Sequence, residues 1–160
     1  MSRHDPSPSV AHLTRLSTFA LVGVGGAVGG LLRWTATVIV AEPTGRFPWT
    51  TFAVNILGSF ALGLLVVGVV GRRAAPAWVR PALGTGLLGG FTTFSAYAHA
   101  VDVLATGGHV MAAAAYLVAS VVAGVAAAAA GVALGSRLPA KSLPPPPQGP
   151  SGAATARGPR

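Results

Sequence analysis

The chain has 160 residues, of which 52% are hydrophobic and only 9% charged, with a formal net charge of +8 and no cysteine. That balance excludes an ordinary soluble surface, and the absence of thiols excludes disulfides and thiolate metal sites. The basic residues are scattered between apolar blocks and form no stripe with interleaved aromatics, so nucleic acid is not an expected partner.

Four apolar blocks cover residues 16–41, 49–71, 82–105 and 110–134, each at or above the ~20 residues a helix needs to cross a bilayer. They predict an all-α membrane protein of four transmembrane helices at 14–138, solvated by lipid, between disordered ends at 1–13 and 139–160. The first end is polar; the second carries Pro144-Pro145-Pro146-Pro147 and a Gly/Ala/Arg mixture with no apolar period. The first block contains Arg33 and outruns the ~7–15 apolar residues of a signal peptide core.

In the first block Gly26 and Gly30 lie four apart on one face, and Ser59 and Gly63 repeat the spacing in the second. Small residues at that interval let helix backbones approach closely in lipid. Arg33, inside the first span, costs about 2.5–3.5 kcal/mol on insertion scales. It reads either as an anion attractor at a vestibule or as a structural arginine, snorkelling or bonded to carbonyls, near the outer interface. Asn55, a short way into the second span, reads either as an interhelical hydrogen bond or as a donor to a passing anion.

The third block opens on Gly84-Thr85-Gly86-Leu87-Leu88-Gly89, which has dinucleotide-loop spacing but neither a preceding strand nor a following acidic residue. No phosphate-binding loop, paired carboxylates or catalytic triad occurs, and the only acidic residues are Asp5, Glu42 and Asp102; an enzyme is not expected. A small four-helix exporter would need a membrane-embedded carboxylate, and Glu42 and Asp102 sit at block ends.

The block continues as Gly89-Gly90-Phe91-Thr92-Thr93-Phe94-Ser95-Ala96-Tyr97, with glycines, hydroxyls and rings in mid-span. Consecutive glycines and β-branched threonines weaken a helix, so the third helix is expected to break near its middle. A break frees carbonyls that need donors or a cation, while Phe94 and Tyr97 would turn positively polarised ring edges to an anion. Tyr116 and Ser120, four apart in the fourth block, add hydroxyls on one face.

Basic residues near helix ends stay in the cytoplasm. Arg3, Arg15, Arg72, Arg73, Arg80, Arg137 and Lys141 fall on one side of a four-span chain, with Arg46 opposite. The expected location is the cell membrane, with both termini cytoplasmic.

Three segments, 25–34 (Gly-Gly-Ala-Val-Gly-Gly-Leu-Leu-Arg-Trp), 52–60 (Phe-Ala-Val-Asn-Ile-Leu-Gly-Ser-Phe) and 89–97, together resemble the CrcB/Fluc fluoride channel family across all four blocks. The resemblance implies a passive fluoride channel built as an antiparallel dimer, with two pores and a structural Na+ at the dimer centre. It carries roles over by position: Asn55 as the pore asparagine, Phe94 and Tyr97 as the two rings facing fluoride, and the carbonyls of Gly89 and Thr92 as Na+ ligands. Tyr116 and Ser120 then begin a polar track, and Arg33 matches the arginine of the first helix. Two departures stand out: Tyr97 replaces a phenylalanine, and Gly124 stands where the track would continue with a hydroxyl. They leave open a non-conducting or partly conducting structural subunit of a heterodimeric channel. The charge bias favours insertion in one orientation, with an oppositely oriented homologue as second subunit in preference to a second copy.

Overall fold

The structure is a computed structural model that describes residues 8–40, 42–43, 45–70 and 75–138. Arg3, Arg72, Arg73, Lys141 and the four-proline run lie outside the described residues. Among the described residues the regular structure is entirely helical. Helix α1 (Pro8–Ile39) starts upstream of the expected span, and α2 (Trp49–Leu64) runs on into a π-helical turn at Leu65–Val69. A π-helical segment, Arg80–Leu88, passes into the short α3 (Gly89–Phe91), followed by α4 (Phe94–Thr106) and α5 (Val110–Arg137).

Three stretches are long and apolar enough to cross a membrane: Arg15–Ile39, Trp49–Val69 and Val110–Arg137. The remaining apolar block is divided among Arg80–Leu88, α3 and α4. Large apolar side chains such as Phe19, Val24, Val122 and Val125 are exposed on the outside, the arrangement of a membrane protein, whose outer solvent is hydrocarbon.

Backbones meet at two glycine seams. A Cβ on Gly25 or Gly29 of α1 would collide with the carbonyl oxygens of Ala82 or Leu87, and one on Gly90 would collide with the Gly26 carbonyl. The α1 face in contact is therefore that of Gly25 and Gly29; Gly30, on the face expected from spacing, has nothing within 4 Å of a built Cβ. Across the molecule α2 lies along α5, where Gly63 faces the Ala128 carbonyl and Gly131 that of Phe60. In lipid such close approach replaces the hydrophobic effect as the source of helix association.

The buried core, Leu104, Ala113 and Tyr116, sits where α4 meets α5, with Phe47, Phe52 and Tyr97 packed around it. Phe47 contacts Tyr116 edge-on, with ring centroids 5.2 Å apart at 90°, a favoured aromatic geometry. Nearby, the Glu42 carboxylate accepts hydrogen bonds from the Thr50 N–H (2.6 Å) and Thr50 Oγ1 (2.9 Å). It satisfies the Thr50 N–H in the first turn of α2 and places negative charge at the positive end of the helix dipole. Glu42→Ala is expected to lower stability by about 1–2 kcal/mol, read from thermal unfolding in detergent.

Candidate functional site

The site forms where the third helical run stops. Thr92 (φ −77°, ψ 155°) and Thr93 (φ −147°, ψ 120°) are extended, so α3 and α4 do not join. Each threonine supplies a local hydrogen bond that competes with helix continuation. Thr92 Oγ1 donates to the Leu88 carbonyl (2.9 Å), which also accepts the Thr92 N–H (3.0 Å). Thr93 Oγ1 accepts the Ala96 N–H (3.1 Å) and so acts as N-cap of α4.

From α2, Asn55 reaches across to the same point. Its Nδ2 donates to the Thr93 carbonyl (3.1 Å), and its Oδ1 accepts the Thr93 N–H (2.8 Å). Of the two readings the sequence allows, this is the interhelical bond, made bidentate. Nδ2 carries a second N–H, and Asn55 also lines the adjoining cleft. Gly58, three residues on, leaves room for the Thr92 methyl group, which any Cβ there would strike.

The cleft encloses about 370 Å³. Asn55 and Ser59 line it from α2, Gly89 and Thr92 from before the interruption, Phe94 and Tyr97 from after it, and Ser120 and Gly124 from α5. Phe94 is 80% exposed, with its ring centroid 5.7 Å from that of Tyr97. The Tyr97 hydroxyl donates to the Leu117 carbonyl on α5 (3.2 Å), so the group that distinguishes it from phenylalanine is held by a neighbouring helix.

The structure thus gathers Asn55, Gly89, Thr92, Phe94, Tyr97 and Ser120 around one cleft and leaves two expected residues off its lining. Arg33 bonds a carbonyl, its Nε donating to Gly90 (3.3 Å). Tyr116 is fully buried one helical turn from Ser120, its ring 5.5 Å from that of Tyr97. The buried Tyr116 and Ser120 hydroxyls, one turn apart, have no other hydrogen-bond partner among the described residues.

Sequence reasoning missed Ser59 and Thr93 as site residues. Ser59 was legible, since it follows Asn55 by four residues and shares its helix face. It also bears on the departure at Gly124, because a Cβ there would lie 3.7 Å from Ser59 Oγ: the α5 position without a hydroxyl faces one from α2.

The chain matches, over residues 20–132, the family described as CrcB-like protein, Camphor Resistance (CrcB). It is 45% identical over 98 residues to the fluoride-specific ion channel FluC 2 of Streptomyces avermitilis, covering 61% of this chain and 62% of that protein. FluC 3 of the same organism is 42% identical over 100 residues, covering 62% of this chain and 49% of that protein. The fluoride-specific ion channel FluC of Paramagnetospirillum magneticum is 40% identical over 104 residues, covering 63% of this chain and 81% of that protein. The matched region includes both glycine seams, the Asn55–Thr93 pair and the whole cleft lining, and the chain belongs to the CrcB-like family.

Proposed function

We infer that the chain is a subunit of a fluoride-selective channel that lets fluoride leave the cytoplasm passively. The observation that carries this reading is the cleft: an amide, hydroxyls and two rings converge at a helix break in an apolar protein. Its family includes relatives named fluoride-specific ion channels.

Hydrogen fluoride crosses bilayers uncharged and dissociates near neutral pH, leaving an anion the bilayer retains. A selective pore releases it down a potential worth about 2.3 kcal/mol per charge per 100 mV. Several weak donors must replace its hydration, favourable enough for entry and loose enough for exit. The second Asn55 N–H, the edges of Phe94 and Tyr97, and the Ser120 hydroxyl are donors of that kind. A buried hydroxyl short of partners costs ~1–3 kcal/mol, so an anion passing through the cleft would satisfy Ser120, which lines it. Arg33 contributes positive potential from beside the break.

A second subunit belongs to this reading. Phe94 and the apolar lining around it stand open in one chain, and an antiparallel partner would close the cleft into a pore. Arg80–Leu88, α3 and α4 then act together as one interrupted span, the third of four crossings in each subunit. The extended backbone at Thr92 takes the Thr93 N–H away from the Gly89 carbonyl. Gly89 and Thr92 therefore suit a bare monovalent cation, and their carbonyls would hold Na+ at the dimer centre. Such an ion would supply positive charge opposite those carbonyl dipoles and a link between the subunits.

The charge asymmetry assigns both termini to the cytoplasmic side of the cell membrane and one orientation to the chain. An oppositely oriented homologue is then the preferred partner; Streptomyces avermitilis, for instance, has channels numbered FluC 2 and FluC 3. The test is efflux from liposomes holding the chain alone or with such a homologue. Fluoride release with chloride retention is expected in at least one preparation, and fluoride retention in both refutes the reading.

A further inference from the structure

We propose that Asn55 is a positioning residue for the cation: by occupying both main-chain groups of Thr93, it keeps the Gly89 carbonyl free to act as a ligand. The inference rests on the Na+ part of the function proposed above and assigns a cause to it.

Three consecutive carbonyls one turn before the break, those of Leu88, Gly89 and Gly90, are treated differently. That of Leu88 accepts two hydrogen bonds from Thr92, through its N–H (3.0 Å) and its hydroxyl (2.9 Å). That of Gly90 accepts the Arg33 Nε–H (3.3 Å). In a continuous α-helix the carbonyl between them, Gly89, would accept the N–H four residues on, which belongs to Thr93. Here that N–H goes to Asn55 Oδ1 (2.8 Å), and the companion bond from Asn55 Nδ2 to the Thr93 carbonyl (3.1 Å) holds the peptide extended. One side chain from α2 thus diverts the only donor a continued helix would offer.

The selectivity of this arrangement is what points to a ligand. Were the break simply a tolerated defect, side chains would have no reason to satisfy the two flanking carbonyls and redirect the donor of the middle one. A carbonyl at membrane depth with no donor is costly, and a ring of such oxygens can replace the hydration of a monovalent cation. Gly89 lines the cleft, whereas Gly90, whose carbonyl Arg33 takes, does not. Without Asn55, Thr92 is free to turn helical and the Thr93 N–H returns to Gly89, closing the site from within. If Asn55 served fluoride alone, its loss would alter flux and leave cation binding as it was.

The experiment uses the assembled channel in detergent, with whichever partner efflux requires. Thermal unfolding is followed while NaCl replaces N-methylglucamine chloride at constant ionic strength, and fluoride efflux is measured on the same preparations. Wild-type protein is expected to gain stability with Na+ to saturation. Asn55→Ala and the milder Asn55→Ser should each move the Na+ midpoint up at least tenfold. Glu42→Ala, which only uncaps α2, should lower the unfolding temperature at every Na+ level without moving the midpoint. An unmoved midpoint in a folded Asn55 variant overturns the inference. So does a wild type that conducts fluoride without Na+-specific stabilisation, which leaves the fluoride reading standing. A moved midpoint in a protein that carries no fluoride upholds the positioning role and refutes the channel.

Discussion

Gly29→Ala is expected to unfold much of the protein, whereas Gly23→Ala, six residues earlier on the same helix, should be tolerated. The propensity term is the same for both and favours alanine by about 1 kcal/mol in a helix interior, so space decides the sign. A Cβ at Gly29 would collide with the Leu87 carbonyl oxygen and lie 2.8 Å from the Phe91 nitrogen, while one at Gly23 meets nothing within 4 Å. Backbone atoms have no rotamer to change, so α1 must move away from the Arg80–Phe91 run. That movement also opens the contacts at Gly25, Gly86 and Gly90, so the loss spreads along the seam. We expect a cost of about 3 kcal/mol or more, the upper end of overpacking penalties, against a change within about 0.5 kcal/mol at Gly23 beyond the propensity term. Gel filtration after stepwise heating in detergent measures both; equal survival of the two variants would refute the seam.

The seam also marks the limit of what the residues alone reveal. Spans in α1, α2 and α5 are legible because apolar length reports burial in lipid directly, whatever the neighbours do. The glycine register is not. Gly25, Gly26, Gly29 and Gly30 offer two faces with identical four-residue spacing, and the choice depends on where Arg80–Phe91 lies in space. The same distinction holds within the site. Glycines and threonines announced a weak third helix, but the partner of Asn55 is a main-chain group, and the residue type at Thr93 carries no trace of that pairing. For the Tyr97 hydroxyl, the residue type names no partner; the Leu117 carbonyl is presented by α5, twenty positions away, at a height only packing sets. Arg33 shows the reverse case, since a charge in mid-span must find an acceptor and Gly90 supplies one.

Phe94→Ile is expected to slow fluoride efflux at least tenfold while leaving assembly intact. Phe94 is the first residue of α4, capped from Thr93, and its ring is 80% exposed at the cleft. Isoleucine keeps the apolar character and the helix start, so the fold has little to lose. What disappears is the ring quadrupole, whose positive edge would face the anion in the proposed pore. Tyr97, at 5.7 Å, remains, but a single ring leaves a gap in the series of donors that replaces water. A barrier rise of about 1.4 kcal/mol already slows passage tenfold, a modest demand for one lost contact to a desolvated ion. Liposome efflux followed with a fluoride electrode, on protein whose gel-filtration profile matches the wild type, measures the effect. Unchanged flux would show that the exposed ring serves only the contact between subunits. Slowed flux with chloride still retained would show that the ring acts on the ion and that the rest of the lining sets selectivity.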